Sequence, residues 1–148
     1  MKQDREAMVS ALKKHVLPAL RSVGFKGSFP HLRRMKADGV DLISFQFDKW
    51  EGGFVIEIAR GSLDGLKTHW GLHVSAGKLR AWDLHPDRRR RIQAREGSGT
   101  DAWFRFDEEP VARIAQQVLD SLPEAESWWQ AKAQQGAQEG RAIKPRAS

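Results

Sequence analysis

From Val40 to Gly61 the chain alternates twice between apolar and polar residues, VDLISFQFDK and FVIEIARG, around Trp50-Glu51-Gly52-Gly53. Period-two alternation marks a strand with one buried face, and a short Gly-containing break between two such runs predicts a β-hairpin. Ile43, Phe45 and Phe47 share one face of the first strand, and Phe54, Ile56 and Ile58 share one face of the second. Setting Phe47 opposite Phe54 places Phe45 against Ile56 and Ile43 against Ile58. That register closes a four-residue loop, Lys49 to Gly52, in which Gly52 is expected to supply a positive φ. A slip of one residue turns both apolar sets to water, so the register is strongly specified.

Upstream, residues 3–23 follow helical spacing. Met8, Leu12, Val16, Leu20 and Val23 form one stripe with Val9 and Ala19 beside it, while Lys13, Lys14 and Arg21 lie off it. Pro18 predicts either a bend or a fresh first turn. Gly24-Phe25 predicts a Schellman stop, with Phe25 returning to Leu20. Phe29 to Lys36 is an expected edge strand. A turn at Asp38-Gly39 would pair Ala37 with Val40 and Leu32 with Phe45. On the reverse face that register aligns His31, Gln46 and Val55 in one row and Arg33, Ser44 and Glu57 in the next, with Asp48 further along.

Downstream, Thr68 to Ser75 alternates again, Trp70, Leu72 and Val74 against His69 and His73, and Lys78 to Leu84 is a weaker candidate strand. Ala102, Phe104 and Phe106 share one face of a last short strand. Asp107 is an expected N-cap for a helix carrying Val111, Ile114, Ala115, Val118, Leu119 and Leu122. Pro123 is expected to end it, with a further helix over 124–135. The pattern therefore predicts an α+β domain: an antiparallel sheet of four to six strands, with an N-terminal and a C-terminal amphipathic helix packed on one face. Residues 1–135 are expected to form that single domain, and 136–148 a disordered basic tail.

Composition narrows the chemistry. The 148 residues suffice for one core without staples, and the absence of cysteine excludes disulfides, thiolate metal sites and cysteine nucleophiles. No apolar run approaches a membrane span and the start of the chain lacks a signal-peptide core, so the expectation is a cytoplasmic, bacterial protein. The net charge of +6 is uneven. Basic residues concentrate in 1–27 and 62–100, whereas residues 101–126 hold seven acidic and two basic side chains. One basic side rather than a uniformly cationic surface is expected.

Several of these features together resemble a bacterial family known only as domain of unknown function 4304. They are the helix closing in Gly24-Phe25, the strand FQFDKW followed by Phe54 and ending at Gly61, the basic stretch Arg89 to Ile92 before Trp103, and a closing helix reaching Leu122-Pro123. The likeness covers about residues 5–125. It implies a small cytosolic α+β domain and carries no activity with it.

Candidate chemistry is sparse. His69 and His73, four apart, share a face, but three or four converging ligands are needed for a metal, and no metal or cofactor is expected. No GxSxG, HExxH or phosphate-cradling glycine loop is present, and Gly97-Ser98-Gly99 lacks the following lysine such a loop needs. Glu57 or Asp48 with His31 could form an acid–base pair of a hydrolase if the sheet brings them together. Arg88, Arg89, Arg90 and Arg91, with His85 and the tryptophans, could contact a nucleic acid through the basic 85–95 stretch, Trp103 stacking on a base. Trp50, Trp70 and Trp103 are also placed for core or turn packing. The leading expectation is a non-enzymatic protein-binding module, immunity-like or adaptor-like, with His31, Arg33, Gln46, Asp48 and Glu57 as a candidate face. Nucleic-acid binding is the first alternative and hydrolysis the second.

Overall fold

The computed structural model describes residues 5–49, 52–68, 70–92, 103–107 and 109–143. In chain order its elements are α1 (Arg5–Ala11), a π-helical stretch (Leu12–Val16), α2 (Leu17–Ser22), β1 (His31–Lys36), β2 (Gly39–Phe47), β3 (Gly53–Gly61), β4 (Leu66–Lys67), β5 (His73–Val74), three 3-10 turns (Ala76–Lys78, Ala81–Asp83, Pro86–Arg88), β6 (Arg89–Arg91), β7 (Phe104–Arg105) and α3 (Val111–Ile143). It is an α+β fold with an antiparallel five-stranded sheet and helices at both ends.

The π-helical stretch accounts for Pro18. Its wider turn lets the Leu17 amide reach the Leu12 carbonyl, and Pro18, which has no N–H, falls in the first turn of α2. Met8, Leu12, Val16 and Leu20 are buried, but Val23 is 49% exposed. Val23 sits at the cap, where the backbone has left helical geometry, so the stripe ends one turn earlier than its spacing suggests. Gly24 at φ +102° closes the motif: its amide bonds the Arg21 carbonyl and that of Phe25 bonds the Leu20 carbonyl.

The central hairpin has the register read from its alternation, with Phe47 opposite Phe54, Phe45 opposite Ile56 and Ile43 opposite Ile58. Gly52 does not adopt a positive φ; instead a Cβ there would lie 2.5 Å from Asp107 Cβ, so glycine is required by close approach. Leu32, Ile43, Phe45, Phe54, Ile56 and Ile58 share one buried cluster with Met8, Leu12 and Leu20 of the first helices and Ile114, Val118 and Trp129 of α3. Each such side chain, fully buried, contributes roughly 1.5–3 kcal/mol. Phe54 is the hub, its ring 5.0 Å from Phe47 and 5.2 Å from Phe104.

β1 is displaced by two residues from the expected pairing. Lys36 lies opposite Gly39, so the loop is Ala37-Asp38, and Leu32 meets Ile43 rather than Phe45. A two-residue shift preserves which side chains face the core, so hydrophobic pattern alone cannot exclude it. The observed pairing sets Arg34 opposite Asp41, where they form an ion pair at 2.8 Å.

Residues 62–88 depart most from expectation. β4 and β5 form a separate two-stranded ribbon, and the candidate strand at 78–84 is instead two 3-10 turns joined by Leu79 and Arg80. Ala76, Leu79, Ala81 and Leu84 pack on Val40, Leu42 and Ala59, so a second core covers part of the reverse face expected to be wet. At the other end α3 runs unbroken through Pro123 to Ile143. Pro123 is exposed, and the helix continues past it without the one bond that its missing N–H would have made. Asp107 is not the N-cap; the helix begins at Val111, and the Pro110 carbonyl accepts from Arg113 and Ile114.

Candidate functional site

The two-residue displacement of β1 rewrites the polar rows. One row now runs across four strands as His31, Ser44, Glu57 and Arg91; Arg33 lies opposite Leu42, and Gln46 opposite Val55. His31 and Glu57 therefore flank Ser44 from opposite sides, whereas Gln46 is exposed away from them. Asp48 sits beyond the end of β2, its amide bonded to the Gly53 carbonyl.

Ser44 is 1% exposed. Its Oγ lies 2.8 Å from His31 Nδ1 and accepts from the Ala81 amide at 3.2 Å. A hydroxyl buried beneath the 79–82 segment and already bonded on two sides has no approach for an electrophile, so this Ser–His contact has the geometry of a structural pair. Trp82 stands edge-on to the His31 ring at 4.4 Å. Burial holds the His31 imidazole below its ordinary value of 6.5, helped by the positive charges of Arg80 and Arg33 and partly opposed by Asp83. Arg33 donates from Nε to the Leu79 carbonyl at 3.0 Å, fastening the cover to the sheet edge.

The arginine run is divided by strand alternation. Arg89 Nη1 donates to both Glu57 oxygens, at 3.0 and 3.2 Å, and Arg91 Nε lies 3.8 Å from the same carboxylate. Arg90 points to the other face, 3.5 Å from Glu124. Arg88 belongs to the preceding 3-10 turn and is exposed. Glu57, Pro86 and Arg89 to Arg91 line a cleft of about 350 Å³. Neither His31 nor Gln46 lines that cleft, so the row does not converge on one cavity. Trp103 is half-buried, with the Arg105 guanidinium 5.9 Å from its ring centroid. Trp50, His69 and Gly97-Ser98-Gly99 lie outside the described residues. Among the described residues no group of three or more His, Asp or Glu side chains could hold a metal ion, and no helix is long and apolar enough to cross a membrane.

Two features escaped sequence reasoning. On the helix side, Arg34 joins Asp41 and Glu126, each at 2.8 Å, while Arg60 joins Asp41 at 3.1 Å and Asp38 at 2.6 Å. Arg60's hydrogen bond holds the Asp38 carboxyl below its ordinary value. The guanidinium of Arg34 also lies 4.5 Å from the Phe25 ring centroid, between the sheet and α3. A signal existed: Arg34, Asp41 and Arg60 occupy core-side positions of three adjacent strands. The second feature is the β4–β5 hairpin. Leu66 and Val74 pack on the second core, but Trp70 is 70% and Leu72 57% exposed at the tip. The Trp70 alternation thus marks a projecting tip, not core packing. Thr68 orders it, its amide bonding the Leu72 carbonyl at 2.8 Å and its Oγ1 accepting from the Leu72 amide at 2.9 Å.

A family model described as "Domain of unknown function (DUF4304)" matches residues 16–132. No curated protein and no solved structure matches the chain.

Proposed function

Because the chain belongs to the DUF4304 family, whose description carries no activity, we propose a function from the surface: a non-enzymatic binding module with a protein partner, anchored at the β4–β5 tip. In this reading the chain is a cytosolic bacterial protein, adaptor-like or immunity-like. Its N-terminal helical segment and α3 both cover the Phe/Ile face of the sheet, leaving the ribbon free to project.

The observation that carries the proposal is the exposure of Trp70 and Leu72 beside the hydrogen bonds that join Thr68 to Leu72. Large exposed apolar side chains on a hydrogen-bonded hairpin offer apolar contact, which is the character of an interface anchor. The Leu66–Val74 base ties the ribbon to the second core. Nucleic-acid binding has weaker support, since Glu57 and Glu124 answer three of the four arginines. Hydrolysis has the weakest, since Ser44 is buried and the row opens on no shared cavity.

The test is capture from native lysate on immobilised chain, with and without nuclease, comparing wild type, Trp82→Ala and the double variant Trp70→Ala/Leu72→Ser. The expected result is a protein retained by wild type and Trp82→Ala, lost with the double variant and indifferent to nuclease. Retention by the double variant, or loss on nuclease treatment, would overturn the proposal.

A further inference from the structure

A second cleft lies at the far end of the sheet, where the Ala37-Asp38 loop, the end of β3, the Pro86–Arg88 turn and α3 meet. We propose that it binds a ligand joining a flat aromatic ring to a singly or doubly charged anionic group, the chemistry of a nucleoside monophosphate. This inference is independent of the hairpin tip and of the protein partner.

The cleft encloses about 430 Å³, within the range of small-molecule sites. Trp128 forms one wall, half-buried, with the Lys132 ammonium 5.5 Å from its ring centroid. In this proposal the part of the indole that lines the cleft stacks on the ring of the ligand, and stacking tolerates any base because each has a π-face. Arg88 and Lys132 line the same space, and among the described residues neither has an ion-pair partner. Their charge is therefore available to an incoming oxyanion. Arg60 differs: Asp38 and Asp41 hold it, so it forms a fixed wall rather than a ligand arm.

The acidic groups set the charge of the ligand. Asp38 and Asp87 line the cleft beside Arg60, Arg88 and Lys132, which leaves an excess of one positive charge. Such a lining disfavours a triphosphate, while each carboxylate can accept from a sugar hydroxyl or an exocyclic amine. Ser62 and Gln135 add neutral hydrogen-bonding groups at the rim. The same chemistry is offered by a free nucleotide and by the 5′-phosphorylated end of a single strand.

Isothermal titration of the full chain with 5′-AMP tests the site, alongside adenosine, inorganic phosphate, ATP and a 5′-phosphorylated tetranucleotide. Saturable AMP binding is expected, with adenosine, phosphate and ATP each at least about tenfold weaker. Since Trp128 also packs on the core, the decisive variant is Arg88→Ser/Lys132→Ser, two lining residues that belong to neither core cluster, which is expected to weaken AMP at least about tenfold at unchanged melting temperature. Trp70→Ala/Leu72→Ser is expected to leave AMP binding intact, which separates this site from the hairpin tip. A tetranucleotide tighter than AMP assigns the site to strand ends, and one equal or weaker assigns it to the free nucleotide. No saturable AMP binding at millimolar concentration, or binding unchanged in the double variant, would overturn the proposal.

Discussion

Trp129 of α3 donates its indole Nε1–H to the carbonyl of Ala59 in β3 at 3.0 Å, with the tryptophan only 2% exposed. A buried indole must find an acceptor, and here it takes one from the sheet itself, locking the helix to a single position along β3. Phe25, 5.1 Å away, and the Arg34 guanidinium, 5.3 Å away, complete its surroundings. Trp129→Phe removes the donor and with it the hydrogen bond that joins this side chain to the sheet, for an expected loss of about 0.5–1.5 kcal/mol. Urea unfolding of the variant against wild type measures it.

Asp41 is the shared acceptor of Arg34 and Arg60 and is 1% exposed. Asp41→Ala removes the anion between two largely buried cations, and breaking such a pair from one side is expected to cost about 3–5 kcal/mol. Replacing the pair together, Arg34→Met with Asp41→Leu, is expected to cost clearly less than Asp41→Ala alone, because the guanidinium that then loses Asp41 is that of Arg60, which keeps Asp38. Chemical denaturation of the two variants distinguishes a charge effect from a packing effect.

Much of this was legible in the chain. The β2–β3 register follows from two apolar sets that must face inward together, which excludes any one-residue slip, and from the short loop that joins them. Phe54→Ala should therefore cost about 3–5 kcal/mol, whereas Gln46→Ala on the exposed side should stay within about 0.5 kcal/mol. The register of β1 was not legible, because a shift of two leaves Leu32 inward in either case, and only the Arg34–Asp41 contact separates the alternatives. Residues 76–88 carry no period at all, since 3-10 turns of three residues bury single side chains such as Leu79 and Ala81. Pro123 misled for a different reason: an interior proline costs a helix one bond without obliging it to stop, and Ala125 and Trp129 beyond it are packed in the core. The candidate face was visible only as polar positions, and the loop at Ala37-Asp38 decided which of them meet.

Acid should loosen the cover over Ser44. The folded chain holds His31 below 6.5, so the unfolded chain binds the proton more tightly. Stability from this group is then complete above about pH 6.5 and lost as pH falls through the folded pKa. Comparing wild type with His31→Asn by urea denaturation at pH 7.5 and pH 5, roughly one unit or more either side of that value, isolates the term. Wild type is expected to lose more stability over that interval; parallel losses would contradict the assignment.

The left-handed backbone of Gly24, φ +102°, gives a further check on the first helix. Gly24→Ala places a side chain in a conformation that costs about 1–2 kcal/mol for an L-residue. The drop should appear in thermal unfolding without change in any binding measured at the hairpin tip.

The central claim, that Trp70 and Leu72 anchor a protein partner, is tested most directly by placing a photo-crosslinking benzoylphenylalanine at position 70 and, separately, at the exposed position 46. Each chain is irradiated in nuclease-treated native lysate. The predicted result is a discrete protein adduct from position 70, displaced by excess unmodified chain but not by excess Trp70→Ala/Leu72→Ser, with none from position 46. Equal adducts from both positions, or displacement by the double variant as effective as by wild type, would contradict it.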